Sequence, residues 1–291
     1  MKRVDSVVQP SAGYELIDCG NGRKLEQFGE LVLDRPDPQA LWQKTDKSLW
    51  VRADGQFLWK ESGERWKMQQ GIADSWHMAY ADMVFSLSTK GFKHVGIFPE
   101  HIAQWEELYT LGKKYANTKQ PLKMLNLFGY TGAASVAGSL AGMQVTHVDA
   151  SKTTILTVRE NMELSGLKQD AMRIICEDAF LYVKRLVKRG EQFDVIVMDP
   201  PAFGRGPKGE VWKIEESLTE FLALLPSIVS PSAKLVILNG YAAGYSARTF
   251  GELLGESLKD KKGEIIYGDI GMQQKNTDRV LTTGIYAKWV K

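Results

Sequence analysis

Residues 122–149 read LKMLNLFGYTGAASVAGSLAGMQVTHVD, and this stretch decides the fold. An apolar run at Lys123–Phe128 precedes a helical segment of small residues, Ala133–Ala141, and a second apolar run follows at Gln144–Asp149. Strands that alternate with helices in this way form a parallel sheet that helices cover on both faces. The stretch therefore predicts an α/β protein.

The alternation continues toward the C terminus, which predicts a doubly wound sheet. The last two strand-like segments, Glu264–Asp269 and Val280–Trp289, have no clear crossover helix between them, so we expect a C-terminal antiparallel hairpin at the sheet edge. Other strands are expected at Met172–Cys176, Phe193–Met198 and Ala233–Asn239, and helices at His101–Ala116, Lys152–Ser165, Ala179–Lys188 and Ile214–Val229.

The region before residue 89 has a different pattern, with short β-type runs separated by turn residues such as Asn21-Gly22. Asp54-Gly55 lies between WVRA and QFLWK and predicts a hairpin. We therefore expect a small β-rich domain over residues 1–88, a candidate for substrate recognition, and a larger α/β domain over residues 89–291.

Composition narrows the possible functions. The 291 residues carry a formal charge of +2, which permits a nucleic-acid partner without arguing for one. Only Cys19 and Cys176 are cysteines, so we expect no disulfide framework and a reducing, cytoplasmic location. No apolar run is long enough to span a membrane. The four histidines, His77, His94, His101 and His147, show no ligand spacing, so no metal site is expected.

Ligands of doubly wound sheets bind beyond the carboxyl ends of the strands. The first strand ends in a loop, residues 126–132, in which Gly129 and Gly132 allow a tight turn close to a ligand; a plain turn is the alternative. Asp149 ends the second strand, twenty positions after Gly129, and could accept hydrogen bonds from the ribose of an adenosine cofactor. Helix capping is the alternative for Asp149, and Ser151 could be the cap instead.

The third and fourth strands also end in carboxylates. Asp178 follows the third strand, where it could accept from an adenine amine or cap the next helix. The fourth strand runs directly into Asp199-Pro-Pro-Ala-Phe203. The two prolines remove two N–H donors and stiffen the backbone, leaving an acceptor-rich corner beside an aromatic ring. Such a corner suits a planar ligand with an NH2 group.

The segments LNLFGYTG, VTHVDAS, ICEDA and VMDPPAFGRG together resemble the class I S-adenosylmethionine (SAM)-dependent methyltransferases. The resemblance is greatest to the bacterial 23S rRNA methyltransferases related to the large-subunit cytosine-C5 enzyme, and it extends through FKHVGIFPE (92–100) and GEVW (209–212). It implies a Rossmann-like fold, SAM rather than NAD as cofactor, and ribosomal RNA as partner. Cofactor-binding residues would be Phe98, Asn126, Phe128, Gly129, Tyr130, Thr131, Gly132, Asp149, Ala150, Ser151, Asp178, Ala179 and Asp199.

One departure from the cytosine enzymes concerns the nucleophile. Methylation at cytosine C5 needs a thiolate to attack C6. In those enzymes the cysteine lies on the loops after the fourth or fifth strand, and here residues 199–203 and 239–243 contain none. Cys176 is expected to be a small buried core residue. The resemblance therefore does not extend to a cysteine mechanism.

The corner instead resembles that of amino-methyltransferases. Asp199 and the Pro200 carbonyl would accept the two hydrogens of an exocyclic amine, and Phe203 would stack on the base. Arg205 and Lys208 follow and could bind phosphate, or they could belong to a solvated loop. Alternatives are methylation of a protein amide or small molecule, a non-catalytic RNA-binding protein, and an NAD(P)-dependent oxidoreductase, which would not explain the two prolines. The sequence leaves the oligomeric state open.

Overall fold

A computed structural model gives the three-dimensional structure of the chain. Three sequence predictions include residues that the structure does not describe. They are the strand that ends at Lys60, the segment that begins at Phe92, and the loop that ends at Ala242-Ala243. No helix in the described part of the chain is long and apolar enough to cross a membrane. The structure describes residues 1–59, 65–91, 93–118, 120–241 and 244–291.

The chain divides into two compact units. The smaller unit contains Val7–Ile102 and Gly271–Thr283. The larger unit contains Met1–Ser6, Ala103–Ile270 and Gly284–Lys291. The boundary expected between residues 88 and 89 stays a prediction.

Strands dominate the first 88 residues. Five of them form one sheet in the order β3-β4-β5-β6-β7, and β8 pairs with β9. The turn predicted at Asn21-Gly22 is confirmed, because both residues have positive φ, 54° and 72°, between β3 and β4. The strands are β1 (Lys2–Arg3), β2 (Ser6–Val8), β3 (Tyr14–Gly20), β4 (Arg23–Phe28), β5 (Leu31–Pro36), β6 (Gly55–Leu58), β7 (Arg65–Met68), β8 (Ser75–Tyr80) and β9 (Met83–Ser88).

The hairpin predicted at Asp54-Gly55 is wrong. Leu49–Arg52 forms a 3₁₀ turn rather than a strand, and β6 pairs with β5 in parallel and with β7 antiparallel. The cause is a long-range contact that local pattern does not show: the Trp50 indole N–H donates to the buried Asp18 carboxylate at 2.8 Å.

The larger unit is built on the predicted doubly wound sheet, whose strand order is β1-β17-β18-β16-β13-β10-β11-β12. Strands β10, β11, β12, β13 and β16 are parallel, whereas β18 runs antiparallel to β16. Its elements are α1 (Ile102–Tyr115), β10 (Lys123–Leu127), α2 (Ala133–Leu140), β11 (Gln144–Asp149), α3 (Lys152–Leu164), β12 (Met172–Cys176), α4 (Ala179–Arg189), β13 (Val195–Met198), β14 (Phe203–Arg205), β15 (Val211–Lys213), α5 (Ile214–Ala223), α6 (Leu225–Ile228), β16 (Leu235–Tyr241), α7 (Ala247–Ser257), β17 (Glu264–Gln273) and β18 (Val280–Val290).

Four details of the larger unit differ from the sequence prediction. The helix expected at Ile214–Val229 is divided into α5 and α6, with Pro226 in the first turn of α6. Helix α7 and the β14–β15 hairpin were not predicted. β1 lies beyond β17, so the C-terminal pair does not form the outermost edge.

Candidate active site

The candidate site lies where the strand order of the sheet reverses. β10 has β11 on one side and β13 on the other, and Leu127 is in register with both Val148 and Met198. Asp149 and Asp199, which follow Val148 and Met198, are therefore at the same edge of the sheet. Clefts of this kind bind ligands in doubly wound folds.

The loop after β10 has an unusual backbone. Phe128 and Tyr130 have positive φ, 55° and 49°, which is uncommon for residues with a side chain and typical of functional sites. Gly129 donates its N–H to the Val148 carbonyl at 3.0 Å. A Cβ on Gly129 would lie 2.4 Å from Cε1 of His147, so only glycine fits against this imidazole.

A buried polar network lies against the loop that follows β10. The Asn126 amide donates to Ser135 Oγ at 2.9 Å, and Ser135 Oγ lies 3.0 Å from His147 Nδ1. Burial lowers the pKa of His147 to about 4, so the imidazole is neutral near pH 7. His147 is fully buried in the core. Cofactor contact by Asn126 stays a prediction.

Asp149 holds the loop to the end of β11. Its Oδ2 accepts the Tyr130 N–H at 2.8 Å, and its Oδ1 accepts the Ser151 N–H at 2.9 Å and the Thr154 hydroxyl at 2.7 Å. Ser151 is the N-cap of α3, because its Oγ accepts the Thr154 N–H. A carboxylate offers about four acceptor positions, so these three donors leave room for a ligand hydroxyl.

Asp178 is the N-cap of α4. Its Oδ1 accepts the Leu181 N–H at 2.9 Å, and the residue is 8% exposed. Ala179 begins the helix and is buried, while Ala150, after β11, is half-buried. The capping alternative is thus observed for Asp178, and its contact with adenine stays a prediction.

The acceptor corner follows β13. The Asp199 N–H donates to the Leu127 carbonyl at 3.4 Å, which joins the corner to β10. Pro200 is buried and Pro201 is exposed. The Pro201 carbonyl accepts the Trp212 indole N–H at 2.7 Å, so the corner is fixed by a side chain eleven positions later.

The β14–β15 hairpin has a buried and an exposed face. Trp212 lies opposite Gly204 on the buried face, and its ring is 4.9 Å from that of Phe128. The sequence analysis did not predict that Trp212 anchors the hairpin. The feature that could have indicated it is a tryptophan in a polar stretch just before a helix. Phe203 is 54% exposed on the opposite face.

The predicted substrate residues lie on this hairpin. Arg205 is exposed, and its guanidinium carbon is 5.9 Å from the centroid of the Phe203 ring. Lys208 is exposed in the turn, where its backbone N–H donates to Glu210. The structure therefore brings Phe203 and Arg205 together directly after the acceptor corner.

Phe98 belongs to the smaller unit. It precedes the 3₁₀ turn Pro99–His101, and its ring centroid is 4.9 Å from that of His94. Burial and the neighbouring cation of Arg35 lower the pKa of His94 to about 3. The role of Phe98 toward the cofactor stays a prediction.

The two cysteines differ in accessibility. The expectation that Cys176 is buried is wrong: Cys176 ends β12, an edge strand, and is exposed. Cys19 lies in the smaller unit, where burial raises the pKa of its thiol to about 11. Cys19 is therefore a protonated thiol at neutral pH, a poor nucleophile.

The donors and acceptors at this edge of the sheet fit SAM. Asp149 and Asp178 provide carboxylates for hydroxyl and amine donors, and the tight loop begins a helix whose N-terminal N–H groups suit a carboxylate.

Similarity to a solved structure decides the family. A crystal structure described as the SAM-dependent methyltransferase from Agrobacterium tumefaciens is 36% identical, with a TM-score of 0.93, and the match covers 99% of this chain and 95% of that one. The chain belongs to the SAM-dependent methyltransferases. A family model, Conserved hypothetical protein 95, matches residues 108–216 of this methyltransferase. The predicted enzyme class and cofactor are confirmed, and the oxidoreductase alternative is rejected.

Other relatives of this methyltransferase are more distant or longer. A methyltransferase structure in complex with SAH is 17% identical over 96% of this chain, with a TM-score of 0.73, and supports the fold alone. Ribosomal RNA large subunit methyltransferase K/L from Shewanella sp. (strain W3-18-1) is 31% identical over 158 residues, 53% of this chain. Ribosomal RNA large subunit methyltransferase I from Klebsiella pneumoniae is 42% identical over 82 residues, 28% of this chain. The matches span 21% and 20% of those two proteins.

Proposed function

We propose that this methyltransferase methylates an exocyclic amine of a base in ribosomal RNA, in the cytoplasm, without a cysteine nucleophile. The names of the K/L and I relatives support ribosomal RNA as the substrate class. The observation that carries the choice of an amine is the Asp199-Pro200 corner at the same sheet edge as Asp149.

Acceptance of two hydrogens is the chemical task of the corner. An exocyclic amine is a poor nucleophile because its lone pair is delocalised into the ring. If Asp199 and the Pro200 carbonyl accept its two hydrogens, the lone pair can turn toward the methyl group. SAM, when bound, supplies that methyl group as an electrophile on its sulfonium. The methylated nitrogen then releases its extra proton to Asp199 or to water, and the chain contributes positioning and electrostatic stabilisation.

The hairpin provides the surface for the substrate base and its phosphates. Phe203 stacks on the base face, and its 54% exposure supports this role. Arg205 and Lys208 contact phosphate, because both are exposed cations on the same short hairpin.

Cofactor binding is distributed over the strand ends. The loop Phe128–Gly132 lines the methionine part, Asp149 and its neighbours Ala150 and Ser151 lie along the ribose, and Asp178 with Ala179 lies beside the adenine. Asn126 supports the loop from below. Phe98 closes over the cofactor, and the residue 1–88 domain assists substrate recognition.

Transfer of labelled methyl groups tests the function. We expect the purified protein to transfer label from SAM to ribosomal RNA taken from cells that lack the protein. RNA from cells that contain the protein is the matched control, because its site is already methylated and should accept no label. Label in a ribosomal protein or small molecule, with none in RNA, would contradict the proposal.

A further inference from the structure

The loop over residues 37–54, which we name the tryptophan loop, links β5 to β6 in the smaller unit. Because β5 and β6 are parallel, their connection must be about a dozen residues or longer, so its length alone indicates no function. A crossover does not, however, require the side chains that this loop presents to solvent.

Buried partners fix the tryptophan loop in one conformation. The carboxylate of Asp18, which is fully buried, accepts the Thr45 N–H at 3.1 Å and the Trp50 indole N–H at 2.8 Å. The Trp42 indole N–H donates to the Cys19 carbonyl at 2.8 Å. Both indoles are therefore held in place before any ligand arrives, which lowers the entropic cost of binding.

The outer side of the loop combines apolar and cationic groups. Leu41 is 83% exposed and Val51 is 81% exposed, and each adjoins a tryptophan in the sequence. Lys44 Nζ lies 3.4 Å from the centroid of a Trp50 ring, and the Arg279 guanidinium carbon lies 5.2 Å from that of Trp42. The loop thus presents apolar and cationic side chains to solvent within the same short segment.

Cations outnumber carboxylates by one among the charged groups of this surface that are not buried. One of these carboxylates, Asp46, already accepts from the N–H and hydroxyl of Ser48. Cations interleaved with aromatic rings complement nucleic acid, since phosphates pair with the cations and bases stack on apolar faces. The cations that are not buried are Lys44, Lys47, Arg52 and Arg279, and the carboxylates that are not buried are Asp46, Asp54 and Asp278.

We propose that the tryptophan loop and Arg279 bind a single-stranded segment of the RNA substrate. This inference rests on the proposed RNA substrate. Lys47 and Arg52 pair with phosphates, and Leu41 and Val51 pack against bases. A flexible polyanion with planar groups matches these residues better than a folded protein surface, because cations and apolar groups alternate along the loop.

Salt-dependent RNA binding by the full chain tests the inference. The probe is a fluorescein-labelled single-stranded RNA 12-mer, and the variant is the double substitution Lys47→Gln/Arg52→Gln. Loss of two phosphate contacts should reduce the magnitude of the slope of log K against log [salt] by about 1.4. If the variant and the wild type bind equally at 1 M salt, the variant should then bind roughly 25-fold more weakly at 0.1 M salt. Arg65→Gln/Lys67→Gln is the matched control, because it removes one exposed arginine and one exposed lysine from β7 of the same unit.

Four outcomes are informative. Weakened binding by the loop variant alone, with unchanged SAM affinity as the control for folding, supports the inference. Equal binding by the loop variant and the wild type, or equal weakening by both variants, overturns it. Normal RNA binding with lost methylation of assembled ribosomal subunits would indicate a protein partner and would also overturn it. Failure of the proposed function can be distinguished from failure of this inference, because the wild type would then transfer no methyl group to ribosomal RNA.

Discussion

The candidate site has a cofactor half, which contains the Phe128–Gly132 loop, Asp149 and Asp178, and an acceptor half, which is the corner Asp199–Phe203. The two halves differ in the groups that hold them. In the cofactor half, Asp149 accepts three donors from adjacent segments of the larger unit, and Asp178 caps a helix. In the acceptor half, two prolines lack N–H groups. The corner is held by backbone bonds from Asp199 to Leu127 and from Ile214 to Ala202, and by the Trp212 indole on the Pro201 carbonyl. The cofactor half is therefore fixed through carboxylate side chains, whereas the acceptor half is fixed through backbone groups and one indole of the hairpin that follows it. Mutations should affect the two halves independently.

Asp199→Ala should give the largest effect, because it removes an acceptor for the reacting amine. We expect the methyl-transfer rate to fall by about 10²–10³-fold, as for loss of one group that stabilises a transition state. Calorimetry should show nearly unchanged SAM affinity. Asp170→Ala is the control, since Asp170 is an exposed aspartate of the same unit. A large parallel loss of SAM affinity would show that the two halves are not separable.

Asp149→Ala should weaken SAM binding and largely spare the methyl-transfer rate at saturating SAM. Loss of a charged acceptor should weaken SAM binding by about 1.5–3 kcal/mol, which calorimetry can measure. Transfer at saturating SAM should largely recover, because the acceptor half is intact. Unchanged SAM affinity would reject the ribose role of Asp149.

Acid should destabilise the cofactor half through His147, on which Gly129 rests. Burial lowers the pKa of His147 from 6.5 to about 4, so its contribution to stability is present above pH 6.5 and is lost as the pH falls toward 4. The free energy of unfolding should fall by about 2 kcal/mol from this residue between pH 7 and pH 5. Denaturation of the wild type and of His147→Gln at both pH values measures the difference.

His77→Gln is the matched control for that experiment, because His77 is an exposed histidine. It should keep the pH dependence of the wild type. A wild type and a His147→Gln variant with the same pH dependence would contradict the assignment.

Trp212→Phe should have a smaller effect, confined to the acceptor half. It removes the hydrogen bond to the Pro201 carbonyl and keeps most of the ring packing against Phe128. We expect a loss of about 1 kcal/mol in the free energy of unfolding and a higher KM for RNA. An altered SAM affinity together with a normal KM for RNA would contradict this prediction, because it would show that Trp212 supports the cofactor half instead.

Replacement of both cysteines should change least. Cys19→Ser/Cys176→Ser should methylate at nearly the wild-type rate, because the thiol of Cys19 is buried and protonated and Cys176 lies on edge strand β12. Initial rates with ribosomal RNA measure this. A folded but inactive double variant would establish a thiol mechanism.

The sequence predicted the parts of the fold that depend on local periodicity. The predicted bounds of strands β10 and β11 and of helices α2 and α3 agree with the structure to within one residue at every end, because small and apolar residues repeat there at the period of each element. Helix α7 was missed because Gly251 and Gly255 weaken its helix signal. A Cβ on Gly251 would lie 3.0 Å from the Tyr267 ring, a tight contact.

Features that depend on distant partners could not be predicted. The β14–β15 hairpin has three residues in each strand and is anchored by Trp212 on a cluster that includes Phe128. The exposure of Cys176 follows from the place of β12 at the edge of the sheet, which the sequence does not give. The residues of the strand-end motifs could be identified from the sequence, but the hydrogen bond from the Trp212 indole to the acceptor corner could not.

Identification of the methylated nucleoside tests the central claim most directly. Ribosomal RNA methylated by the purified protein would be digested to nucleosides and analysed by mass spectrometry. We predict N6-methyladenosine or N2-methylguanosine, since in the proposed function the Asp199-Pro200 corner accepts the hydrogens of an amine. Formation of 5-methylcytidine would contradict the account.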